Sequence, residues 1–239
     1  YEAMASGADR FFHVPDMVRA PSLFLDLRAL WRLYLIFKEE RPDIVHAHSS
    51  KAGFLARLAA WAAGVRRVYY SPRGYSFLQT DISALSRGLY HLLERLASSI
   101  GEVVAVSESE AILARELGAR VKVVRDAYLG NIPEDVEREG RKGGVVVCAS
   151  GRASFARHPE AFVRLAQRLT HSRSGLRCRW IGGGELQPEM EELIRDLDLA
   201  GKLEVTGWLS HEDALRRLAR ADVFVHYSRW DAIPNTVLE

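Results

Sequence analysis

Two arginines, Arg152 and Arg157, share the run Gly151-Arg152-Ala153-Ser154-Phe155-Ala156-Arg157-His158-Pro159, and two carboxylates, Asp231 and Glu239, bracket Pro234 near the other end of the sequence. Paired guanidinium groups grip a diphosphate in bidentate fashion and neutralise charge developing on a departing group. A helix start between carboxylates offers backbone N–H groups to phosphate oxygens and acids to hydroxyls. Pro234 suits such a start, because its missing N–H would be unpaired in a first turn anyway. Asn235 and Thr236 fall in the same turn. The alternative for Arg152 and Arg157 is two surface arginines in an arginine-rich chain.

Other polar groups stand directly after apolar runs. Gly182-Gly183-Gly184-Glu185 is a turn that lets backbone approach a ligand closely. No Gly-Lys-Ser/Thr follows it, and it lacks the spaced glycines of a dinucleotide fingerprint. Gly207-Trp208 offers an indole that either supports a base or lies in the core. His46 and His48 have strand spacing, so both face one side. With no third ligand at a fitting distance, a polar crevice is expected there rather than zinc. Lys51 and Arg73 each read as a solvated charge or as a contact for a phosphate or a sugar hydroxyl.

The surrounding pattern says what must position these groups. Short apolar runs at 43–47, 67–71, 103–106 and 121–124 alternate with helical periodicity at 22–40, 52–63, 82–99 and from Ser107 onward, where Glu110 completes a capping box. A strand remnant is expected at 11–14. The alternation restarts with strands at 145–149, 177–181, 203–206 and 223–226 and helices at 159–169, 186–197 and after Ser210. Crossover helices between strands mean mostly parallel sheets covered on both faces. Residues 1–130 are therefore expected to form one doubly wound α/β domain and 144–239 a second, joined by a charged Gly/Pro-containing linker at 131–143. Ligands of such folds sit at the carboxyl ends of the strands.

Composition narrows the class. At 239 residues, with 48% hydrophobic and 27% charged residues, the chain suits one large or two modest soluble domains. Lys plus Arg minus Asp plus Glu is 33 − 31 = +2, with the signs interspersed, so no basic stripe for nucleic acid is present. Two cysteines, Cys148 and Cys178, fit buried free thiols in a reducing compartment. No stretch approaches the roughly 18–20 apolar residues of a membrane span. A cytoplasmic protein is expected. Residues 22–40 place Arg28, Arg32 and Lys38 among leucines, which reads as a solvated helix face over a core, or as a helix lying on the inner face of a membrane.

Taken together the residues resemble the family 4 (group 1) glycosyltransferases of the GT-B architecture, in the branch that assembles polysaccharides. The resemblance is carried by Arg41-Pro42-Asp43-Ile44-Val45-His46-Ala47-His48-Ser49-Ser50-Lys51-Ala52-Gly53, Tyr70-Ser71-Pro72-Arg73-Gly74-Tyr75-Ser76-Phe77 and Val106-Ser107-Glu108-Ser109-Glu110. In the second half it is carried by Gly151-Arg152 with Arg157, Ile181-Gly182-Gly183-Gly184-Glu185, Thr206-Gly207-Trp208, Arg220-Ala221-Asp222-Val223 and residues 234–239.

The resemblance implies two Rossmann-like domains facing a cleft, with a nucleotide-diphosphate sugar donor on the second and a glycan or lipid-linked glycan acceptor on the first. It implies retaining, metal-independent transfer of a hexose from a UDP- or GDP-sugar, with no cofactor. Arg152 and Arg157 would bind the diphosphate, Glu239 the ribose and Asp231 the donor sugar, with Asn235, Thr236, Gly183, Gly184, Glu185, Gly207, Trp208, His48, Lys51 and Arg73 completing the substrate sites. Three positions depart from the family pattern: Asp231 replaces Glu, Arg157 replaces Lys, and Arg73 stands where many relatives have His. Both domains are expected to be incomplete at the chain ends. The competing functions are a catalytically degenerate nucleotide-sugar-binding module, favoured by Asp231 and Arg73, and a nucleotide-sugar 2-epimerase, which would need carboxylates the first half does not display.

Overall fold

The computed structural model describes residues 8–18, 20–128 and 144–239. These residues fall into two compact units, one formed by the chain up to Leu78 with Ala84–Arg125, the other by Gln79–Ser83 with Asp126–Glu239. The proposed linker, 131–143, lies outside the described residues.

The first unit runs α1 (Leu23–Glu40), β1 (Ile44–His48), α2 (Ser50–Ala63), β2 (Arg67–Ser71), α3 (Ala84–Leu96), β3 (Glu102–Ala105), α4 (Glu108–Glu116) and β4 (Val121–Val123). Its strands are all parallel, in the order β1-β2-β3-β4. Side chains alternate across a strand, so Val45 and Ala47, Val68 and Tyr70, and Val103 and Ala105 enter the core while their neighbours face away. Helix ends follow local chemistry. Ser22 and Ser107 cap α1 and α4 by accepting from Leu25 and Glu110 N–H, and Gly64 closes α2 in the left-handed conformation at φ 82°. The capping box at α4 is modified: the buried Glu110 carboxylate accepts from Val106 N–H at 3.0 Å and from Gly74 N–H at 2.9 Å, tying the loop after β2 to the start of α4.

One ionic group is sealed inside this unit. Arg57 on α2 donates to Glu94 on α3 at 2.6 Å and to the carbonyl of Ala97 at 3.1 Å, and its guanidinium carbon lies 3.9 Å from the Tyr70 ring centroid. Tyr70 donates to the other Glu94 oxygen at 2.7 Å. Burial, with Glu94 next to it, pushes the Tyr70 hydroxyl well above its ordinary value, so it remains a donor.

The second unit runs β5 (Val146–Ser150), α5 (Pro159–Ser172), β6 (Arg177–Ile181), α6 (Gln187–Asp196), β7 (Leu203–Val205), α7 (His211–Ala219), β8 (Val223–Phe224) and the single turn α8 (Asn235–Leu238). Its strands are again parallel, in the order β7-β6-β5-β8. Trp180 packs on Phe162 with ring centroids 5.8 Å apart, in a core that also takes in Met190, Leu199 and Leu203. Cys178 pairs with Val147 and Cys148 with Arg179, so the two thiols project to opposite faces and stay free. Burial pushes Cys148 up to about 12, against the pull of Arg179, and Cys178 up to about 11.

Three expectations are corrected. Residues 11–14 form no strand; Phe11 and Phe12 are exposed, and strand character needs a ladder partner. β8 covers Val223–Phe224 alone, paired with Val147 and Cys148, and one further bond, Val225 N–H to the Cys148 carbonyl at 2.8 Å, continues toward the expected end at His226. The helix expected at 82–99 covers only Ala84–Leu96. Among the described residues, no helix is long and apolar enough to cross a membrane.

Candidate active site

The order β7-β6-β5-β8 reverses direction between β5 and β8, and a crevice at the carboxyl ends of the strands on either side of such a switch is where doubly wound sheets take ligands. The chain delivers its charged groups to that point. The loop after β5 carries Arg152 and, in a short 3-10 turn (Phe155–Arg157), Arg157; the loop after β8 carries His226 and Asp231. Arg157 donates through Nη1 to Asp231 Oδ2, across 74 positions of sequence. His226 Nε2 lies 3.4 Å from the same Arg157 nitrogen and 4.0 Å from Asp231 Oδ2. Because Arg157 has only protons to give, the neutral imidazole accepts there. Burial first, and then the Arg157 charge, hold His226 below its ordinary value, with Asp231 pulling the other way.

Backbone contacts clamp the two loops together. Arg229 N–H donates to the Ala156 carbonyl at 2.8 Å, the Arg229 guanidinium lies over the Phe155 ring at 4.3 Å, and Ala232 N–H donates to Asp231 Oδ1 at 2.9 Å. Both Asp231 oxygens are thus engaged. Arg152 pairs with Glu185 from the loop after β6 at 2.8 Å, in an exposed position.

The glycines of the loop after β6 approach the protein's own chain. A Cβ on Gly184 would stand 2.4 Å from the Ala153 carbonyl oxygen, and Ala153 N–H donates to Gly183 O at 2.8 Å. A Cβ on Gly183 would meet the Trp208 indole at 2.8 Å. The loop is therefore a fitted brace beneath the arginine loop. Trp208 is not the core tryptophan; it is 70% exposed, and Trp180 fills the interior. Glu239 closes the single turn that Asn235 and Thr236 begin, its N–H donating to the Asn235 carbonyl at 3.0 Å.

The strand ends of the first unit hold a separate polar group. His46 and His48 lie side by side on one face of β1, ring centroids 4.2 Å apart and tilted by 37°. Ser71 spends its single proton on the Val104 carbonyl at 2.9 Å, so it accepts from His46 Nε2–H at 3.0 Å, which fixes the His46 tautomer. Burial, then His48 and Arg73, lower the His46 value and keep it neutral near pH 7. Among the described residues no three His, Cys, Asp or Glu side chains are grouped to hold a metal ion. Lys51 is committed elsewhere: its ammonium donates to the carbonyls of Ala20 and Val18 at 2.6 and 2.9 Å and pairs with the Asp26 carboxylate at 2.5 Å, which pins the segment before α1.

Sequence reasoning missed His226 and the Arg57–Glu94 pair. His226 follows an apolar run, and its position in a loop beside an acid-bearing turn was the available signal.

Two parallel-sheet units with an arginine-lined switch point define the fold of the GT-B glycosyltransferases, and solved members superpose on it. The Anabaena protein HepE, crystallised with UDP and glucose, matches with a TM-score of 0.69 and 16% identity over 92% of this chain and 62% of its own. The crystal structure of TarM matches with a TM-score of 0.70 and 11% identity over 87% of this chain and 41% of its own. Residues 2–127 match the glycosyl transferase 4-like domain and residues 131–239 the glycosyl transferases group 1. The chain belongs to this family. Among curated relatives, an Escherichia coli UDP-Gal:alpha-D-GlcNAc-diphosphoundecaprenol alpha-1,3-galactosyltransferase is 29% identical over 96% of this chain and 63% of its own length. A Staphylococcus aureus capsular polysaccharide biosynthesis glycosyltransferase is 33% identical over 41% of this chain and 25% of its own. The chain thus spans less than two thirds of the length of these relatives.

Proposed function

We propose that this protein is the core of a retaining glycosyltransferase that moves a hexose from a UDP- or GDP-sugar to a cell-surface glycan acceptor held on a lipid diphosphate. The observation carrying this reading is the meeting of Arg157, Asp231 and His226 at the switch point of the second sheet, with Arg152 on the same loop as Arg157. In it, Arg152 and Arg157 take the diphosphate and stabilise the charge it gains as the glycosidic bond breaks, the task a metal ion performs in other transferases. Asp231 addresses hydroxyls of the donor sugar, Glu239 the ribose, and exposed Trp208 offers a face for the base. The polar group of His46, His48 and Arg73 belongs to acceptor recognition. The acceptor class follows the Escherichia coli relative, whose name specifies a sugar on diphosphoundecaprenol.

The test is direct. Incubated with a panel of UDP- and GDP-sugars and a polyprenyl-diphosphate-linked saccharide, the protein is expected to release nucleotide with one donor, at a rate EDTA leaves unchanged. Donor binding without release in any combination would establish a binding module instead, and loss of turnover in EDTA would overturn metal independence.

His226 gives this site a pH signature. Its depressed value rests partly on the Arg157 charge, which a bound diphosphate offsets while adding negative charge of its own. His226 should then take up a proton on binding, so donor affinity is expected to rise as pH falls from about 8 to about 6. A nucleotide sugar is the right probe, since its diphosphate is a diester with no proton to exchange in that range. Calorimetry across pH should show the slope, and His226→Gln should flatten it; an equal slope in both proteins would remove His226 from the site.

A further inference from the structure

Arg157 sits on a turn that holds itself together poorly. The 3-10 turn Phe155–Arg157 is closed by two bonds, Arg157 N–H to the Ser154 carbonyl at 3.0 Å and His158 N–H to the Phe155 carbonyl at 3.3 Å, in a geometry weaker than that of an α-helix. The residue that leaves the turn, His158, is left-handed at φ 51° and ψ 56°, and it precedes Pro159, which favours extended backbone in the residue ahead of it. Its side chain caps nothing in α5. Strain of this kind persists only where the surroundings hold it in place.

One residue of the loop after β8 does the holding. Arg229 N–H donates to the Ala156 carbonyl at 2.8 Å, its guanidinium carbon lies 4.3 Å from the Phe155 ring centroid, and its Nη2 donates to His158 Nδ1 at 3.3 Å. Burial first, then the Arg229 charge, hold His158 below its ordinary value, with Glu160 pulling the other way, so the imidazole is neutral and accepts. Trp230 flanks the same Phe155 ring, centroids 6.0 Å apart, while its carbonyl accepts from Ser228 Oγ at 2.7 Å. Residues 155, 156 and 158 are thus each tied to Arg229. Only Arg157, between them, is turned to Asp231 and His226.

We propose that Arg229 is a positioning residue, a staple across the strained turn 155–158 that fixes the direction in which Arg157 leaves the backbone. The proposal rests on the reading of Arg157 as a partner of the donor diphosphate. Without the staple the turn relaxes, and Arg157 has to be ordered anew each time a nucleotide arrives. That ordering is lost affinity. It is also lost rate, because the guanidinium must be aimed at charge that develops only as the glycosidic bond breaks.

A double-mutant cycle read by calorimetry with free UDP and GDP tests the staple. Arg229→Ala keeps the backbone bond to Ala156 but loses both side-chain ties, and should weaken nucleotide binding about tenfold, a loss that nearly vanishes when Arg157 is already alanine. Phe155→Leu removes the ring without touching a charge and should reproduce the loss, most of which Phe155→Tyr should recover. Arg229→Lys, with the charge but no planar fork, should recover only part. In transfer assays kcat should fall by a larger factor than KM rises. Equal losses for Arg229→Ala with and without Arg157 would mean that Arg229 grips the ligand itself, which overturns the proposal. Parental binding by Arg229→Ala, while Arg157→Ala binds poorly, overturns it too and leaves the diphosphate reading standing. Parental binding by Arg157→Ala removes that reading and the staple's purpose with it. Arg229 and Phe155 are exposed, so a melting temperature that falls in step with affinity would mark a fold contact and overturn the positioning role.

Discussion

Replacing Glu94 with alanine is expected to destabilise the first unit by about 3–5 kcal/mol, because it leaves a buried guanidinium without its counter-charge. Arg57 is 1% exposed and its other contacts are two carbonyls and the Tyr70 ring, so among the described residues Glu94 alone is its ion-pair partner. The Tyr70 hydroxyl, at 0% exposure, loses its acceptor in the same step. α2 and β2 pack tightly over the pair: Gly53 lies so close to Tyr70 that a Cβ would fall 2.3 Å from the ring. Glu94→Gln, which keeps one acceptor oxygen for Arg57 and turns an amide N–H2 toward the Tyr70 hydroxyl but removes the charge, should fall between parent and alanine variant. Urea titrations followed by a probe in the first unit would show the order. A loss under about 1 kcal/mol for Glu94→Ala would mean that the pair is solvated, as surface pairs are.

This pair shows where the sequence stops being legible. The strands at 67–71 and 177–181 are readable to the residue, because each gathers β-branched or aromatic residues, Val68-Tyr69-Tyr70 and Trp180-Ile181, in a short run between turn signals. Ser107 and Ser210 announce their helices for an equally local reason. Arg57 and Glu94 lie 37 residues apart and meet only after two crossovers have stacked α2 beside α3. The same limit divides the candidate site. Arg152 and Arg157 are visible as a pair because they share one loop, and Asp231 because it precedes Pro234. That Arg157 and Asp231 touch depends on β8 being inserted beside β5, a matter of strand order that no local pattern encodes. Lys51 shows the converse: a lysine at a helix start reads as a ligand contact, while its partners are Asp26 in the first turn of α1 and two carbonyls of the chain just before that helix.

Arg157→Ala is expected to lower kcat/KM for transfer by about 10²–10³-fold, the cost of removing one well-placed donor to a developing negative charge. Arg152→Ala should cost less. Its partner Glu185 and its own side chain are each about half exposed, whereas Arg157 and Asp231 are 27 and 22% exposed, in a setting where charges are less screened. Both arginines already hold a carboxylate, so donor binding exchanges one anion for another. Asp231 keeps Arg157 extended and in place, then gives it up to the diphosphate and turns to the sugar. Asp231→Asn should therefore bind free UDP or GDP at least as tightly as the parent while transferring sugar far more slowly, since the exchange no longer has to break an ion pair. Arg157→Lys, which keeps the charge but loses the fork, should fall between parent and Arg157→Ala in nucleotide affinity. Calorimetry with the free nucleotide separates the two roles. If Asp231→Asn weakens nucleotide binding as much as Arg157→Ala does, the carboxylate is part of the nucleotide grip and the place-holding role is wrong.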